Sequence, residues 1–434
     1  MMENNEDITL KENLIKTLKE KPYLIAHKLG YEDFTELHNE WLKMLIYGKE
    51  NFTLQAHRGS YKTTCLIVAI ALLILLKPTK TIGFFRKTDT DVKEVIKGVW
   101  KALQSPLFNT MSYILYGYPI IFKVASTSEI DTNLNISMSG TPQLTGTGIN
   151  GNLTGRHYDY IFTDDIITKK DRIYTAIRES TKENYLEMLN LVNRGEDCFI
   201  KNIGTPWHKE DAFTLMPKPI KYDCYNTGLI SQEKLEELKK SMTPSLFSAN
   251  YELKHIADED MLFFDPQFMK EEEFINIENG FLHIDASYGG EDFTAFTLCR
   301  FRNGKFYVYG KLIHKHVDNC LELFRQIADK YKAYAWFMED NGDKGYLAEK
   351  MKKMGLNATT YHEKMNKYNK ITSYLYNDWK NVYLHPETDE DYIEQILDYN
   401  IYAEHDDAPD SLACMIRIWR NKMKASNITM TSAY

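Results

Sequence analysis

A run of twelve apolar residues, CLIVAIALLILL from Cys65 to Leu76, stands directly behind a short polar loop, AHRGSYKTT, which itself follows a β-rich stretch, FTLQA. A bilayer span needs about 20 apolar residues, so this run is too short to cross one and reads as a buried helix. A helix apolar on every side must be enclosed on every side, which calls for a sheet on one face and further helices on the other. Strand, tight loop and helix N-terminus together make an anion cradle, because free backbone N–H groups and the helix dipole both point into the loop. Lys62 is placed to reach the β- and γ-phosphates of ATP, and Thr63 to set its hydroxyl on Mg²⁺. Arg58, Gly59, Ser60, Tyr61 and Thr64 complete the candidate lining of that cradle. The usual pattern has glycine immediately before the lysine, where this chain has Tyr61.

The segments that follow supply the partners such a loop requires. TIGFFR (Thr81 to Arg86), YDYIFTDD (Tyr158 to Asp165) and CFIKNIGT (Cys198 to Thr205) read as strands between helical patterns, which favours a mostly parallel sheet. The second of these strands ends in two carboxylates: Asp164 for the Mg²⁺ shell and Asp165 to orient or deprotonate the attacking water. Thr205, at the turn after the next strand, is a candidate γ-phosphate sensor, and Arg156, in LTGRHYDY, a candidate arginine finger directed at a neighbouring subunit. Each has a plainer reading, as an ordinary turn and a solvated surface charge.

After Trp207 the pattern turns polar and helical, with SQEKLEELKKSM as one amphipathic segment. A second α/β pattern starts near Phe281. FLHIDAS, FTAFTLCRF and KFYVYGKLIHK are consecutive strands, AYAWFMED is a fourth, a helix is expected from Lys344 to Met354, and a short strand from Ala358 to His362. That order matches a ribonuclease H-like domain. The expected division is 1–206 for a P-loop ATPase domain of the ASCE type, 207–265 for a linker or lid, and 266–434 for the ribonuclease H-like nuclease domain.

Carboxylates in this second pattern fall where a metal-dependent phosphodiesterase would need them. Asp285 lies in an apolar strand, where a charge is costly to bury unless it is paired or holds a metal. Glu339 ends the fourth strand, and HDDAPDSLA sets Asp407 and Asp410 three apart at the start of a late helix, with Asp406 beside them. Two Mg²⁺ or Mn²⁺ ions held by Asp285, Glu339, Asp407 and Asp410 would activate water and stabilise the leaving oxygen, and oxygen-only ligands favour these hard cations over zinc. Taken singly, each acid is as easily a helix cap or a loop-edge charge.

Composition narrows the class more than it names the partner. With 434 residues, 43% of them hydrophobic and 26% charged, the chain suits two globular domains. The six cysteines are scattered, which argues against a zinc site or disulfide framework and suits a reducing cytoplasm. Residues 1–20 form a charged, helix-like stretch with no secretory or transit pattern, and no membrane association is expected. The formal net charge of −8 does not advertise nucleic acid, so any DNA-contacting surface must be a local patch. Lys344, Lys364, Lys367 and Lys370, with Tyr361 and Tyr368 among them, are candidates for such a face.

AHRGSYKTT, TGRHYDYIFTDD, IGTPWHKED, DASYGGEDFTA, MEDNGDKG and HDDAPDSLA occur in the order seen in the large terminase subunit of tailed bacteriophages, and the chain resembles that family from about Asn51 to Arg420. The resemblance implies an ATPase that pumps double-stranded viral DNA into a procapsid and an endonuclease that cuts the concatemer. It also implies a homo-oligomeric ring, a pentamer, docked on a portal protein, a small terminase subunit that chooses the start, and the cytoplasm of an infected bacterium as the place of work. ELHNEWLKMLIY resembles the family's helix before the ATP loop, which would bring Trp41 near the adenine. Tyr61 and Asp165, where the family more often has Gly and Glu, depart from its commonest pattern. Two other classes fit parts of the pattern: an ATP-dependent DNA-remodelling enzyme, and a transposase-like protein that shares the ribonuclease H-like fold.

Overall fold

The computed structural model describes residues 5–138, 140–151, 155–242, 244–255, 262–277, 280–289, 292–340, 345–400, 403 and 405–431. The chain forms two compact units, Met1–His255 and Ile256–Tyr434. Among the described residues no helix is long and apolar enough to cross a membrane.

The first unit is built on eight strands: β1 (Phe52–Ala56), β2 (Ile82–Arg86), β3 (Phe122–Ala125), β4 (Glu129–Thr132), β5 (Leu144–Gly148), β6 (Tyr160–Asp164), β7 (Phe199–Gly204) and β8 (Pro219–Tyr222). They pair in the order β3-β4-β5-β2-β6-β7-β1-β8. From β5 to β8 every pair is parallel, and β3 and β4 add an antiparallel edge. Read from the other edge, β8-β1-β7-β6-β2 is the strand order of an ASCE-type P-loop ATPase, with β1, the strand before the loop, between β8 and β7. The apolar run forms the helix Lys62–Leu76, fully enclosed from Leu66 to Leu75 apart from Ile67 and packed against the helices Glu36–Tyr47 and Asp89–Gln104. Four expected strands appear within a residue or two of their anticipated places.

β3, β4, β5 and β8 were not anticipated, and each lacks the signal that marks a strand. β5 reads LTGTG, and its Gly146 is small because a Cβ there would lie 2.5 Å from Val92 Cγ1 on the helix against it. β8 reads PIKY, two half-exposed residues flanking two exposed ones, and it begins with a proline, as an edge strand tolerates. It pairs with β1, so the stretch expected as a linker supplies the sheet's edge, and residues 207–255 fall within the first unit.

The second unit holds β9 (Gln267–Phe268), β10 (Phe281–Asp285), β11 (Thr294–Arg302), β12 (Lys305–Ile313), β13 (Ala335–Glu339), β14 (Asn357–Tyr361) and β15 (Val382–Leu384). β10, β11 and β12 form an antiparallel meander, while β13 and β14 join the other side of β10 in parallel. The order β12-β11-β10-β13-β14 is that of the ribonuclease H-like fold, extended by β15 and β9. The helix expected from Lys344 spans Tyr346–Lys353, and Lys344 itself lies outside the described residues.

Alternation along the strands decides which face carries chemistry. Leu282 and Ile284 of β10, with Trp336 and Met338 of β13, point into one core with Phe324 of the helix Leu321–Lys330. Phe281, His283 and Asp285 of β10, with Phe337 and Glu339 of β13, therefore face the other way. On that side lies the C-terminal helix Asp407–Thr431, which packs across β10 and β11. Its first turn carries Asp407 and Asp410, and so the parity of two strands delivers Asp285 and Glu339 to the helix that bears the other acids.

Candidate functional site

In the first unit the loop after β1 and the end of β6 meet through two paired contacts. Thr63 Oγ1 donates to Asp164 Oδ2 at 2.9 Å, and Lys62 Nζ stands 3.8 Å from Asp165 Oδ2. A hydroxyl and a carboxylate in that contact are the two side chains that share a Mg²⁺ shell in nucleotide-hydrolysing enzymes. Arg86, the last residue of β2, joins them with Nε 3.2 Å from Asp164 and Nη2 3.7 Å from Asp165. Asp164 is completely buried; burial first and the neighbouring Asp165 second push its carboxyl up to about 6, against the pull of Arg86 and Lys62.

The residues present suit a metal-bound triphosphate. Asp164 Oδ1, Asp165 Oδ1 and Ser60 Oγ are buried without a hydrogen-bond partner among the described residues, which is costly unless a ligand supplies one. Gly59 (φ +81°) and Tyr61 (φ +60°) both take the left-handed conformation, and it is this geometry that makes glycine usual before the lysine. Tyr61 adopts it with its hydroxyl donating to Asp33 at 2.8 Å and its ring against Phe34 and His38. His38 Nε2 lies 3.2 Å from the Ser60 carbonyl, which ties the helix Glu36–Tyr47 to the loop. Asp165 also has a left-handed backbone (φ +47°), and its N–H donates to Ile203 of β7. Beside it, a Cβ on Gly204 would lie 3.5 Å from Asp165 Oδ1, and Thr205 follows as a buried residue.

Other anticipated residues lie elsewhere. The Arg58 side chain is exposed, while its backbone N–H donates to Asn250 at 2.7 Å; Thr64 is half-buried on the first turn of the helix. Arg156 pairs with Glu129 at 2.6 Å and lines a cavity of about 570 Å³ with Thr145 and Tyr158, so it is not brought to the two aspartates. Trp41 is wholly buried, edge-on to Tyr222 at 5.1 Å, and serves the core. Arg86 is the residue that sequence reasoning missed. Its signal was a cation closing an apolar strand, at the sheet end where ligands bind in parallel α/β folds.

In the second unit Asp285 feels the charges of Asp410 and Asp407, and Glu339 that of Asp410. Burial raises Asp285 well above the usual carboxylate range, and Asp410 and then Asp407 add to it. Asp407 accepts from Gln395 Nε2 at 3.2 Å and is nearly buried, as is Asp410; burial also raises both. Behind them a neutral His283, held down to about 3 by burial and then by Lys370 and Arg417, bridges Ser411 of the C-terminal helix and Tyr361 of β14, each at 2.8 Å.

Of the lysines the sequence suggested for a surface, Lys370 is withdrawn from it. Lys370 is 1% exposed, with Nζ 2.7 Å from Asp410, 3.7 Å from Glu339 and 3.8 Å from Glu363. Lys367, one helical turn away, is exposed and pairs with Asp406 at 2.8 Å, and Arg417 pairs with Glu363. Lys364 is exposed, and Tyr361 and Tyr368 are half-buried. The donors are all carboxylate oxygens and suit a hard divalent cation in kind. In arrangement they differ from the expected pair of metal positions: among the described residues no group of three or more such side chains forms a ready-made metal cage. Glu363 and Lys370 had escaped notice as members of this cluster, although two lysines three apart on a short helix share a face.

No family model matches the sequence, and no curated protein matches it. Among solved structures, the chain is similar to the large terminase from the thermophilic bacteriophage D6E, at 12% identity and a TM-score of 0.39, covering 89% of this chain and 98% of that one. It is also similar to the large terminase of bacteriophage HK97, at 11% identity and a TM-score of 0.35, covering 84% and 88%. The large terminase nuclease from thermophilic phage G20c with bound magnesium matches at 17% identity and a TM-score of 0.27, covering 32% of this chain and 81% of that one. The fold assignment above rests on strand order and direction.

Proposed function

We propose that this chain is an ATP-driven motor on double-stranded DNA that also cuts the DNA, working as a phage large terminase subunit. The observation that carries the first half is the Thr63–Asp164 hydrogen bond beside the Lys62–Asp165 pair, at the sheet end where β1 and β6 finish. In this reading Thr63 and Asp164 hold Mg²⁺, Lys62 and Arg86 face the phosphates, and Asp165 orients the attacking water. Mg²⁺ or Mn²⁺ held by carboxylates drawn from Asp285, Glu339, Asp407 and Asp410 would supply a polarised phosphate and an activated water for phosphodiester hydrolysis.

The motor of this proposal is a pentameric ring seated on a portal protein, fed by a small terminase subunit, in the cytoplasm of an infected bacterium. The order of motifs along the chain and the succession of an ASCE-type and a ribonuclease H-like unit support it. Purified chain with linear DNA, ATP and Mn²⁺, scored for phosphate release and for strand scission, tests both activities at once. Lys62→Ala should lose DNA-stimulated phosphate release, and Asp285→Ala should lose scission while release survives. Scission that persists in Asp285→Ala would sink the acid assignment.

A further inference from the structure

Lys370 stands where the sequence reading would have put a metal. Its ammonium lies between Asp410 of the C-terminal helix and Glu339 at the end of β13, two of the carboxylates assigned to divalent cations. The position is built, not incidental. Asn366 caps the short helix Lys367–Lys370 by accepting from Tyr368 N–H at 3.0 Å, that helix packs against the C-terminal helix, and the lysine is 1% exposed. A third carboxylate, Glu363, lies 3.8 Å from the ammonium and is itself paired with Arg417. A buried charge persists only when its surroundings compensate it, and three carboxylates at ionic distance do so here.

We propose that Lys370 is an internal counter-cation that takes the place of one of the two divalent ions, so that this unit binds a single Mg²⁺ or Mn²⁺, on the Asp285 and Asp407 side. This rests on the nuclease reading above. An ammonium is a fixed positive charge with three donors, and it can hold Glu339 and Asp410 in register as a metal would. A dication placed against the same two carboxylates would meet its repulsion at close range in a poorly solvated site. Lys370 is enclosed by protein and acts through these carboxylates, as a positioning residue. Asp285, half-buried, and Asp407, nearly buried, are the two acids of the four that make no ion pair with the ammonium among the described residues.

Counting bound ions tests this without reference to activity. The full chain, free of nucleotide, is titrated with Mn²⁺ while the electron paramagnetic resonance of free Mn²⁺ is followed, with Asp285→Asn as the blank that subtracts sites elsewhere. The expected difference is one ion for the native chain and for Lys370→Arg, and two for Lys370→Met once its circular dichroism shows a folded chain. Two ions in the native chain, or one in folded Lys370→Met with unchanged affinity, overturns the inference and leaves the nuclease reading standing. No Asp285-dependent ion overturns both. Should Lys370→Met fail to fold, the native count decides alone.

Discussion

At the scale of single residues, Tyr61 shows how a departure from a common pattern is accommodated. A left-handed backbone costs a residue with a Cβ roughly 1–2 kcal/mol. Here the hydrogen bond to Asp33 and the packing on Phe34 and His38 offset that cost. Tyr61→Gly should therefore keep nucleotide affinity within about threefold, whereas Tyr61→Val, branched at Cβ, should lower it by roughly tenfold, since 1.4 kcal/mol is a factor of ten. Fluorescent-nucleotide titration measures both, and equal affinities would show that the loop does not need this conformation. Asp165 stands between Lys62 and Arg86, with one carboxylate oxygen left without a partner. In Asp165→Asn, ATP should still bind while turnover falls by about a hundredfold or more, as expected for loss of a group acting on the attacking water. Normal turnover in that variant would place the base elsewhere.

At the scale of elements, β7 is tied to the helix Glu36–Tyr47 by a lysine with almost no exposure. Lys201 Nζ donates to the Met44 and Leu45 carbonyls at 2.9 and 2.7 Å, between the rings of Phe52 and Phe199. Burial, and secondarily Lys77, lowers it to about 7 from its ordinary 10.5. The folded chain then sheds this proton near pH 7 while the unfolded chain keeps it to about 10.5, so stability rises with pH across that window, by at most about 1.4 kcal/mol per unit. Below pH 7 both states carry the proton and the dependence vanishes. Between pH 7 and 9 the first unit should gain on the order of 1–2 kcal/mol over its Lys201→Met variant in urea unfolding; a flat or falling difference counts against the assignment. The same strand shows what a sequence makes legible. β1, β2, β6 and β7 are apolar runs closed by a charge or a small-residue turn, and they were read in place. β5 is glycine where helices press on it, and β8 is short and at an edge, so neither carries the alternation that marks a strand. The acids were legible because a carboxylate in an apolar strand is conspicuous. Arg86, Glu363 and Lys370 were not, because a charge at a strand end, in a loop or on a short helix looks like any solvated charge until the fold brings it inward.

Across the whole molecule, an acidic chain keeps several of its cations close to its own carboxylates. Arg86, Lys367, Lys370 and Arg417 all face Asp or Glu, and none of these pairs depends on a partner. For the proposed motor, contacts with DNA would come from what remains exposed, which makes that binding a local and salt-sensitive property. The loop proposed to hold phosphate is stitched to a distant stretch of the first unit. His57 N–H donates to Tyr222, Arg58 N–H to Asn250, and His57 Nε2 lies 2.7 Å from Thr227 Oγ1. Adding a non-hydrolysable ATP analogue should slow amide exchange over residues 222–251 by about tenfold or more, together with the loop itself, since bound ligand suppresses local opening; protection confined to the loop would show the stitches to be passive. Because that stretch runs almost to His255, where the first unit ends, whatever steadies the loop also steadies the last segment of that unit.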